Sequence, residues 1–476
     1  MKSYLLTIAP LVIGILVVLV VSALRGYNNK HDDRVSLWVT IAALLLPALL
    51  SITLIRGTQI FGGSLLITEI GRGFLLVYLL LTALVVFLTE NYFPKIHVNG
   101  TDWRLIVLCM SLGAVHLFFA NDLPTVFMAF QLVSIPTYAL TGFSRTDRRS
   151  NEAGMKYLIL GLVTGALLLL GISFLYGATG QINLSEIRGV LLTPRDPHGL
   201  RELGIVALIL LFAALFFKTA TAPFHSYLLD VYQGSSFAAM AVIAVPAKIA
   251  YFALLSRLIE GPFLGYEEIW KPLIAAGAIF SFAFGGVQGL GQTNLKRILA
   301  CSSVINTGFI LLALAFAEPG VMYFYLFVYG LMTVALLGFW MYLGREYADV
   351  DSLGDLTGLS RREPTVAVGM TIALLSLAGI PLTAGFVSKF FVLLSVFQDT
   401  DSGDPAAIVT TLGILGSALA AYFYFGIIRT IWFRGEPPTI PVAAGASDRR
   451  WNYAFVAWLA VALVLLLGVY PFPLFR

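Results

Sequence analysis

Charge is scarce in this sequence. Lysine and arginine number 30 and aspartate and glutamate 26 among 476 residues, so that 12% of the chain is charged against 59% hydrophobic. That little polar surface cannot enclose a soluble core of this size, which excludes an ordinary water-soluble globular enzyme. Cysteine is scarcer still. Cys109 and Cys301 both lie inside apolar segments without a CxxC or a His/Cys cluster, so neither a disulfide framework nor a metal site is encoded, and each reads as a small buried hydrophobe. No glycine-rich phosphate loop sits between strand and helix, and no nucleophile–base pair or carboxylate dyad is legible. The basic residues form no tract, so the formal charge of +4 does not point to nucleic acid.

What the sequence has instead is apolar runs of about 20 residues, the length that crosses a hydrocarbon core as a helix. Fourteen spans are predicted, at 4–24, 36–55, 71–92, 104–120, 123–143, 155–176, 202–225, 236–258, 268–290, 297–316, 321–343, 364–398, 406–432 and 451–473. The chain is therefore an all-α polytopic membrane protein whose partner on most sides is the lipid bilayer. The first run is followed by further spans and lacks a small-residue cleavage site, so it reads as a retained helix. The twelfth is long because AGIPLTAGF splits it into two halves. Connections are mostly short; residues 177–201, with an amphipathic piece around NLSEIRGV, and the polar connector 344–363 are the exceptions.

Lysine and arginine placement sets the expected orientation. With the first loop cytoplasmic, eighteen basic residues fall on the cytoplasmic side and nine on the other, which puts both termini outside. The remaining three lie within spans: Lys218 in LFAALFFKTATAPFH, Lys248 in AAMAVIAVPAKIAYF and Lys389 in AGIPLTAGFVSKFFV. A charged lysine at bilayer depth costs roughly 2.5–3.5 kcal/mol, so a retained one faces a protein interior or a wet path, or else snorkels to a headgroup or pairs structurally. Pro223 and Pro246 cannot donate to the carbonyls four residues before them, which predicts interrupted helices with free backbone oxygens near Lys218 and Lys248.

Other polar residues at membrane depth are Gln131, His116, His225 and Asn306, with Glu69 and Glu90 near span ends. Burial disfavours an ammonium and a neighbouring charge restores it, so lysine suits proton transfer, and uncharged partners such as Gln131 and Asn306 can pass protons through water. His116 alone on an apolar span reads more simply as a hydrogen-bonded packing residue. The seventh and twelfth spans each combine a proline with a lysine and stand five spans apart. An odd offset reverses direction across the membrane, as in inverted repeats whose broken helices meet near the midplane. Spans four to eight then pair with nine to thirteen, dividing the chain into an N-terminal three-helix segment (1–103), a first bundle (104–258), a second bundle (268–432) and a C-terminal helix (433–476).

The runs LTGFSRTDRRSNEAGMKYLILG, FKTATAPFHSYLLDVYQG with VPAKIAYF, QTNLKRILACSSVINTGFILL and LSLAGIPLTAGFVSKFFV, in that order over roughly residues 104–432, resemble the antiporter-like subunits of respiratory complex I and the related subunits of Mrp-type sodium/proton antiporters. Among these the chain looks most like the N subunit. Lys389 stands where an M-type subunit is expected to have glutamate, and the sequence given ends after the fourteenth span, unlike an L-type subunit with its lateral helix. The resemblance implies two inverted five-helix repeats with broken helices seven and twelve, each forming half of a proton path in a bacterial inner membrane. It also implies neighbours of M type and of the small K, J and A types. By the same resemblance Lys218 is the lysine of a glutamate–lysine pair, Lys248 the connecting lysine, Lys389 the terminal lysine and His225 the histidine of the PFH motif. FMN, iron–sulfur clusters and quinone would belong to partner subunits, and this chain would hold no cofactor.

Three positions depart from the family pattern. Gln131 replaces the glutamate that precedes Leu132, Ser134 and Tyr138; Asn306 stands where histidine is common; and Gln233 occupies the glutamate position of the DVYEG motif. Glutamine can hydrogen-bond a lysine but cannot supply a counter-charge. The expected function is proton translocation coupled to NADH:quinone oxidoreduction. A subunit of a multisubunit Na+/H+ antiporter and a structural membrane-arm subunit with an impaired path remain the alternatives.

Overall fold

The computed structural model describes residues 2–24, 30–53, 57–93, 98–192, 200–346, 351–399, 404–433, 435 and 451–471. In chain order its helices are α1 (Lys2–Leu24), α2 (Lys30–Leu50), α3 (Glu69–Thr89), α4 (Gly100–Phe119), α5 (Leu123–Thr141), α6 (Arg148–Thr179), α7 (Leu184–Leu191), α8 (Leu200–Thr219), α9 (Ser226–Gly234) and α10 (Phe237–Val242). They continue as α11 (Lys248–Glu260), α12 (Glu267–Leu290), α13 (Leu295–Phe316), α14 (Pro319–Glu346), α15 (Leu359–Arg362), α16 (Pro364–Ala378), α17 (Ala384–Phe397), α18 (Asp404–Phe433) and α19 (Trp451–Val469). Among the described residues, twelve helices are long and apolar enough to cross a membrane; α16, α17 and the apolar part of α2 (Arg34–Leu50) are shorter. All fourteen predicted spans are present, the eighth as α10 plus α11 and the twelfth as α16 plus α17. A small hairpin, Gln59–Ile60 paired with Leu65–Leu66, lies between α2 and α3.

Contacts divide the chain into two units. The first comprises Met1–Val86, Asn99–Ala220 and Pro246–Ile274; the second comprises Phe87–Val98, Thr221–Val245 and Ala275–Arg476. In the first, α6 runs along α8, while α11 packs on α4, α5 and α8. In the second, α14 packs on α13, α16, α17 and α19, and α17 also contacts α13 and α18.

The repeat is written in backbone hydrogen bonds. In the first unit Leu123 N donates to Ile182 O at 2.9 Å and Leu184 N to Asn121 O at 2.8 Å. In the second, Leu295 N donates to Asp351 O and Leu353 N to Thr293 O, both at 2.8 Å. Each clasp joins two N-cap residues, Asp122 with Asn183 and Asn294 with Ser352. Asp122 accepts Thr125 N at 2.7 Å, Asn183 accepts Ser185 N at 3.0 Å and Asn294 accepts Arg297 N at 3.1 Å. Each cap satisfies a helix-end donor that would otherwise be orphaned at the membrane surface.

The three proline sites resolve differently. At the seventh span, α8 stops at Thr219, Ala220 turns to φ +57°, and α9 starts at Ser226, so the break precedes Pro223. The residue before a proline resists the helical region, and the chain leaves the helix early. The expected interruption at Pro246 is corrected: the helix passes through it as a π turn at Ile243–Ala247 and continues into α11. A π turn widens the ladder by one residue and absorbs the missing donor without ending the helix. At the twelfth span the halves are separate, and Gly385 of α17 lies hard against the Ser376 carbonyl of α16, where any Cβ would clash and only glycine fits.

Candidate functional site

In the first unit Lys218, on the last turn of α8, is 4% exposed. Its ammonium donates to Tyr138 Oη of α5. Four rings surround Nζ: Tyr138 at 4.4 Å, Phe130 at 5.4 Å, and Tyr157 and Tyr251 each at 5.5 Å to the centroid. Desolvated cation–π contacts contribute about 2 kcal/mol or more, and a hydrogen bond to a charged group about 1.5–3 kcal/mol, which offsets part of the burial cost. Tyr138 and Tyr157 meet edge to face at 4.9 Å. Tyr251 Oη lies 2.9 Å from Ser134 Oγ, which ties α11 to α5. The Lys218 amine therefore rests among phenols, and the backbone oxygen expected beside it is not its hydrogen-bond acceptor.

Gln131 is half-buried one residue along α5 and turned to α6, where a Cβ on Gly165 would come within 3.1 Å of its Nε2. Among the described residues no hydrogen bond links Gln131 to Lys218. Phe130, Ser134 and Tyr138, spaced four apart, form the stripe that reaches the lysine. Lys248 begins α11 just after the π turn and is 4% exposed. Three residues on, Tyr251 shares its face and belongs to the Lys218 cage. His116 hydrogen-bonds its own helix, Nδ1 to Leu112 O at 2.8 Å, and meets Tyr4 edge to face; it packs. Glu69 is exposed at the start of α3.

In the second unit Lys389 of α17 is 5% exposed and donates to Leu377 O at 2.6 Å and Ser417 Oγ at 3.2 Å. Leu377 is in the last turn of α16, so the broken helix presents an orphan carbonyl and the negative end of its dipole to the ammonium. Lys389 Nζ also lies 5.1 Å from the centre of Phe309, which stacks on Tyr325. Tyr325 Oη donates to Asn306 Oδ1 at 2.8 Å, and Asn306 Nδ2 donates to Ser302 O at 2.8 Å. Ser302 Oγ hydrogen-bonds Tyr424 Oη, and Ser303 Oγ lies 3.0 Å from Tyr329 Oη. Asn306 is thus one link in a hydroxyl–amide cluster joining α13, α14 and α18. His225, 4% exposed, places Nε2 3.2 Å from Gln288 Oε1, and Ala222 N donates to Ser281 Oγ at 3.0 Å, so α12 holds the turn of the broken seventh helix. Gln233 and Asp230 accept from Arg297 at 2.9 Å and 3.2 Å.

Among the described residues no group of three His, Cys, Asp or Glu could hold a metal. Of the tyrosines and serines around the lysines, only Ser134 and Tyr138 were read in the sequence, as members of a motif and not as neighbours of Lys218. Their signal was present as the four-residue spacing on α5 and the i, i+3 pair Lys248 and Tyr251.

A transmembrane family described as NADH:quinone oxidoreductase/Mrp antiporter matches residues 120–416, which contain both sites apart from Ser417 and Tyr424. The chain belongs to this family. A relative from Solibacter usitatus (strain Ellin6076), NADH-quinone oxidoreductase subunit N 2, is 34% identical over 87% of this chain and 83% of its own length. Subunit N from Beijerinckia indica subsp. indica is 31% identical over 96% and 93%. Among solved structures, a chain of respiratory complex I from Thermus thermophilus with bound aureothin superposes with TM-score 0.78 at 28% identity, over 98% of this chain and 97% of that one. A chain of the Mrp complex from Dietzia sp. DQ12-45-1b shares the fold, with TM-score 0.79 at 22% identity over 98% and 95%. The family's antiporter-like architecture is thus that of this chain, and the relatives place it on the subunit N branch.

Proposed function

We propose that this chain is the N-type membrane-arm subunit of a proton-translocating NADH:quinone oxidoreductase and that Lys218, Lys248 and Lys389 carry its protons. The observation behind this reading is the setting of the lysines. Each is buried at membrane depth, and Lys218 and Lys389 are held by phenol, hydroxyl and carbonyl oxygens that accept hydrogen bonds from the lysine without fixing a counter-charge beside it. Tyr251 links the Lys218 cage to the face of Lys248; Asn306, Tyr325 and Phe309 connect the hydroxyl cluster to Lys389; His225 steadies the broken seventh helix. Redox chemistry, with flavin, iron–sulfur clusters and quinone, takes place in partner subunits, among them an M-type subunit and small K-, J- and A-type subunits. The assembly sits in a bacterial inner membrane with both termini of this chain outside.

Lys218→Ala tests the reading in the assembled, reconstituted complex. Removing the amine leaves the apolar packing of α8 intact, so the complex should assemble and move electrons while translocating fewer protons per electron. An unchanged ratio would remove Lys218 from the path. A second reading, a membrane-arm subunit whose own path is impaired, is favoured by one observation: Gln131 supplies no charge and does not hydrogen-bond Lys218. It predicts that Lys218→Ala leaves the ratio unchanged.

A further inference from the structure

Away from both lysine sites, the first unit contains a cavity of about 590 Å³ whose lining includes Leu66, Asn121, Arg188, Leu192, Arg257 and Glu260. These residues come from the connections after the second, fourth and sixth spans and from the end of the eighth, which the alternation of spans puts on one side of the membrane. The cavity therefore lies where apolar spans end, beside the amphipathic α7, whose Leu184 and Ile187 are buried, while Ile182 and Leu192, just before and after it, are exposed.

Two of its three charged groups, Arg257 and Glu260, are fixed in advance. Arg257, 8% exposed, donates from Nε to Ala120 O at 2.9 Å and from Nη2 to Asn121 Oδ1 at 3.1 Å. Asn121 is itself pinned, donating to Gly63 O at 3.0 Å and Asn183 Oδ1 at 3.1 Å and accepting from Ser185 Oγ at 3.1 Å. Glu260 accepts from Ser256 Oγ at 2.7 Å. Binding here would cost little in ordering Arg257, Asn121 and Glu260.

Two guanidiniums suit a phosphate, which they hold by charge-assisted and bidentate hydrogen bonds. A bare phosphate is a poor match, because Glu260 shares the cavity and would repel it, and because this volume falls in the range of sites for whole small molecules. A group carrying both signs answers all three charges. We propose that the cavity binds a phosphoethanolamine ester, its phosphate against Arg188 and Arg257 and its ammonium against Glu260, supplied as the headgroup of an aminophospholipid whose chains leave past Leu66 and Leu192.

The test uses the assembled complex in phosphatidylcholine vesicles doped with photoreactive phosphatidylethanolamine or photoreactive phosphatidylcholine, with crosslinked peptides mapped by mass spectrometry. The peptides carrying Leu184–Leu192 and Glu260–Gly261 should be labelled about tenfold more by the ethanolamine lipid, the size of one charge-assisted hydrogen bond that the methylated amine cannot make. Glu260→Gln should abolish that preference while labelling by phosphatidylcholine persists, and Glu260→Asp should keep it. Arg188→Gln, a change at a half-buried side chain, should lower labelling by both lipids. Displacement by glycerophosphoethanolamine at equal concentration would assign the site to a soluble ester of the same chemistry; no displacement assigns it to the lipid. Equal labelling of the wild type by both lipids, or a preference that survives Glu260→Gln, overturns the proposal.

Discussion

A methyl group at position 161 should silence the Lys218 site without touching the lysine. Gly161 of α6 faces the Tyr138 ring, and a Cβ there would overlap Oη and Cζ and lie 2.6 Å from Cε1. Carbon atoms settle at about 3.5–4.0 Å, so the ring must withdraw by roughly 1 Å. The same ring takes the Lys218 hydrogen bond and is the nearest of its four aromatic neighbours. Losing the hydrogen bond removes about 1.5–3 kcal/mol, a factor of about 10–150 in any step that uses the contact. Local overpacking adds about 1–3 kcal/mol of destabilisation, which an extensively packed subunit tolerates. Gly161→Ala complexes should therefore appear at normal abundance on native gels, reduce quinone, and take up fewer protons per electron in vesicles. Tyr138→Ala supplies the control. If Gly161→Ala acts by moving that ring, the double variant should match Tyr138→Ala alone, because coupled positions do not add. Additive defects, or a wild-type proton ratio in Gly161→Ala, would refute the reasoning.

Gln131→Glu should give no gain in protons per electron, because the residue turns towards Gly165 and a new carboxylate would draw Lys218 away from its phenols; a clear rise in vesicle pumping would show that the ancestral pair is still connected. Asn306→Leu should lower the midpoint of thermal inactivation, since it leaves the Tyr325 hydroxyl unpaired at a cost of about 1–3 kcal/mol, and Tyr325→Phe in the same chain should restore part of it. No recovery in the double variant would count against the hydrogen bond. Cysteines at Arg145 and Glu186 should react with impermeant reagents from opposite faces, the first from the cytoplasm; labelling of both from one face would overturn the span count. The loop Asp399–Asp404 offers a further outer position at Ser402, which lies outside the described residues.

The spans were legible because hydrocarbon leaves one option for a backbone, and twenty apolar residues state it plainly. The amphipathic α7 was legible for the same reason at smaller scale, from NLSEIRGV. Proline misled at one place. A missing donor can end a helix, as near Pro223, or widen it, as at Pro246, and local sequence does not say which, since the outcome depends on what packs around the turn. The lysines stood out because charge is costly there. Their partners did not, because tyrosine, phenylalanine and serine in a chain with 13% aromatic residues look like ordinary packing until helices are brought together. Gln131 shows the opposite error: the residue the family pattern singles out is not the one that touches Lys218. The clasps had a faint signature that went unread, a capping residue followed by leucine at Asp122, Asn183, Asn294 and Ser352.

The π turn at Ile243–Ala247 sets where the eighth span points its charge. A turn of α-helix takes about 3.6 residues, so one surplus residue advances everything after it by about 100° around the axis. Lys248 and Tyr251 follow that offset, whereas Phe237 to Val242 precede it. Deleting Ile243 would leave the composition and hydropathy of the span almost unchanged, yet it would swing the ammonium and the phenol together out of register with Ser134 and Lys218. The position of a buried charge in this helix is thus held by arithmetic, one residue counted or not, as much as by the chemistry of its neighbours.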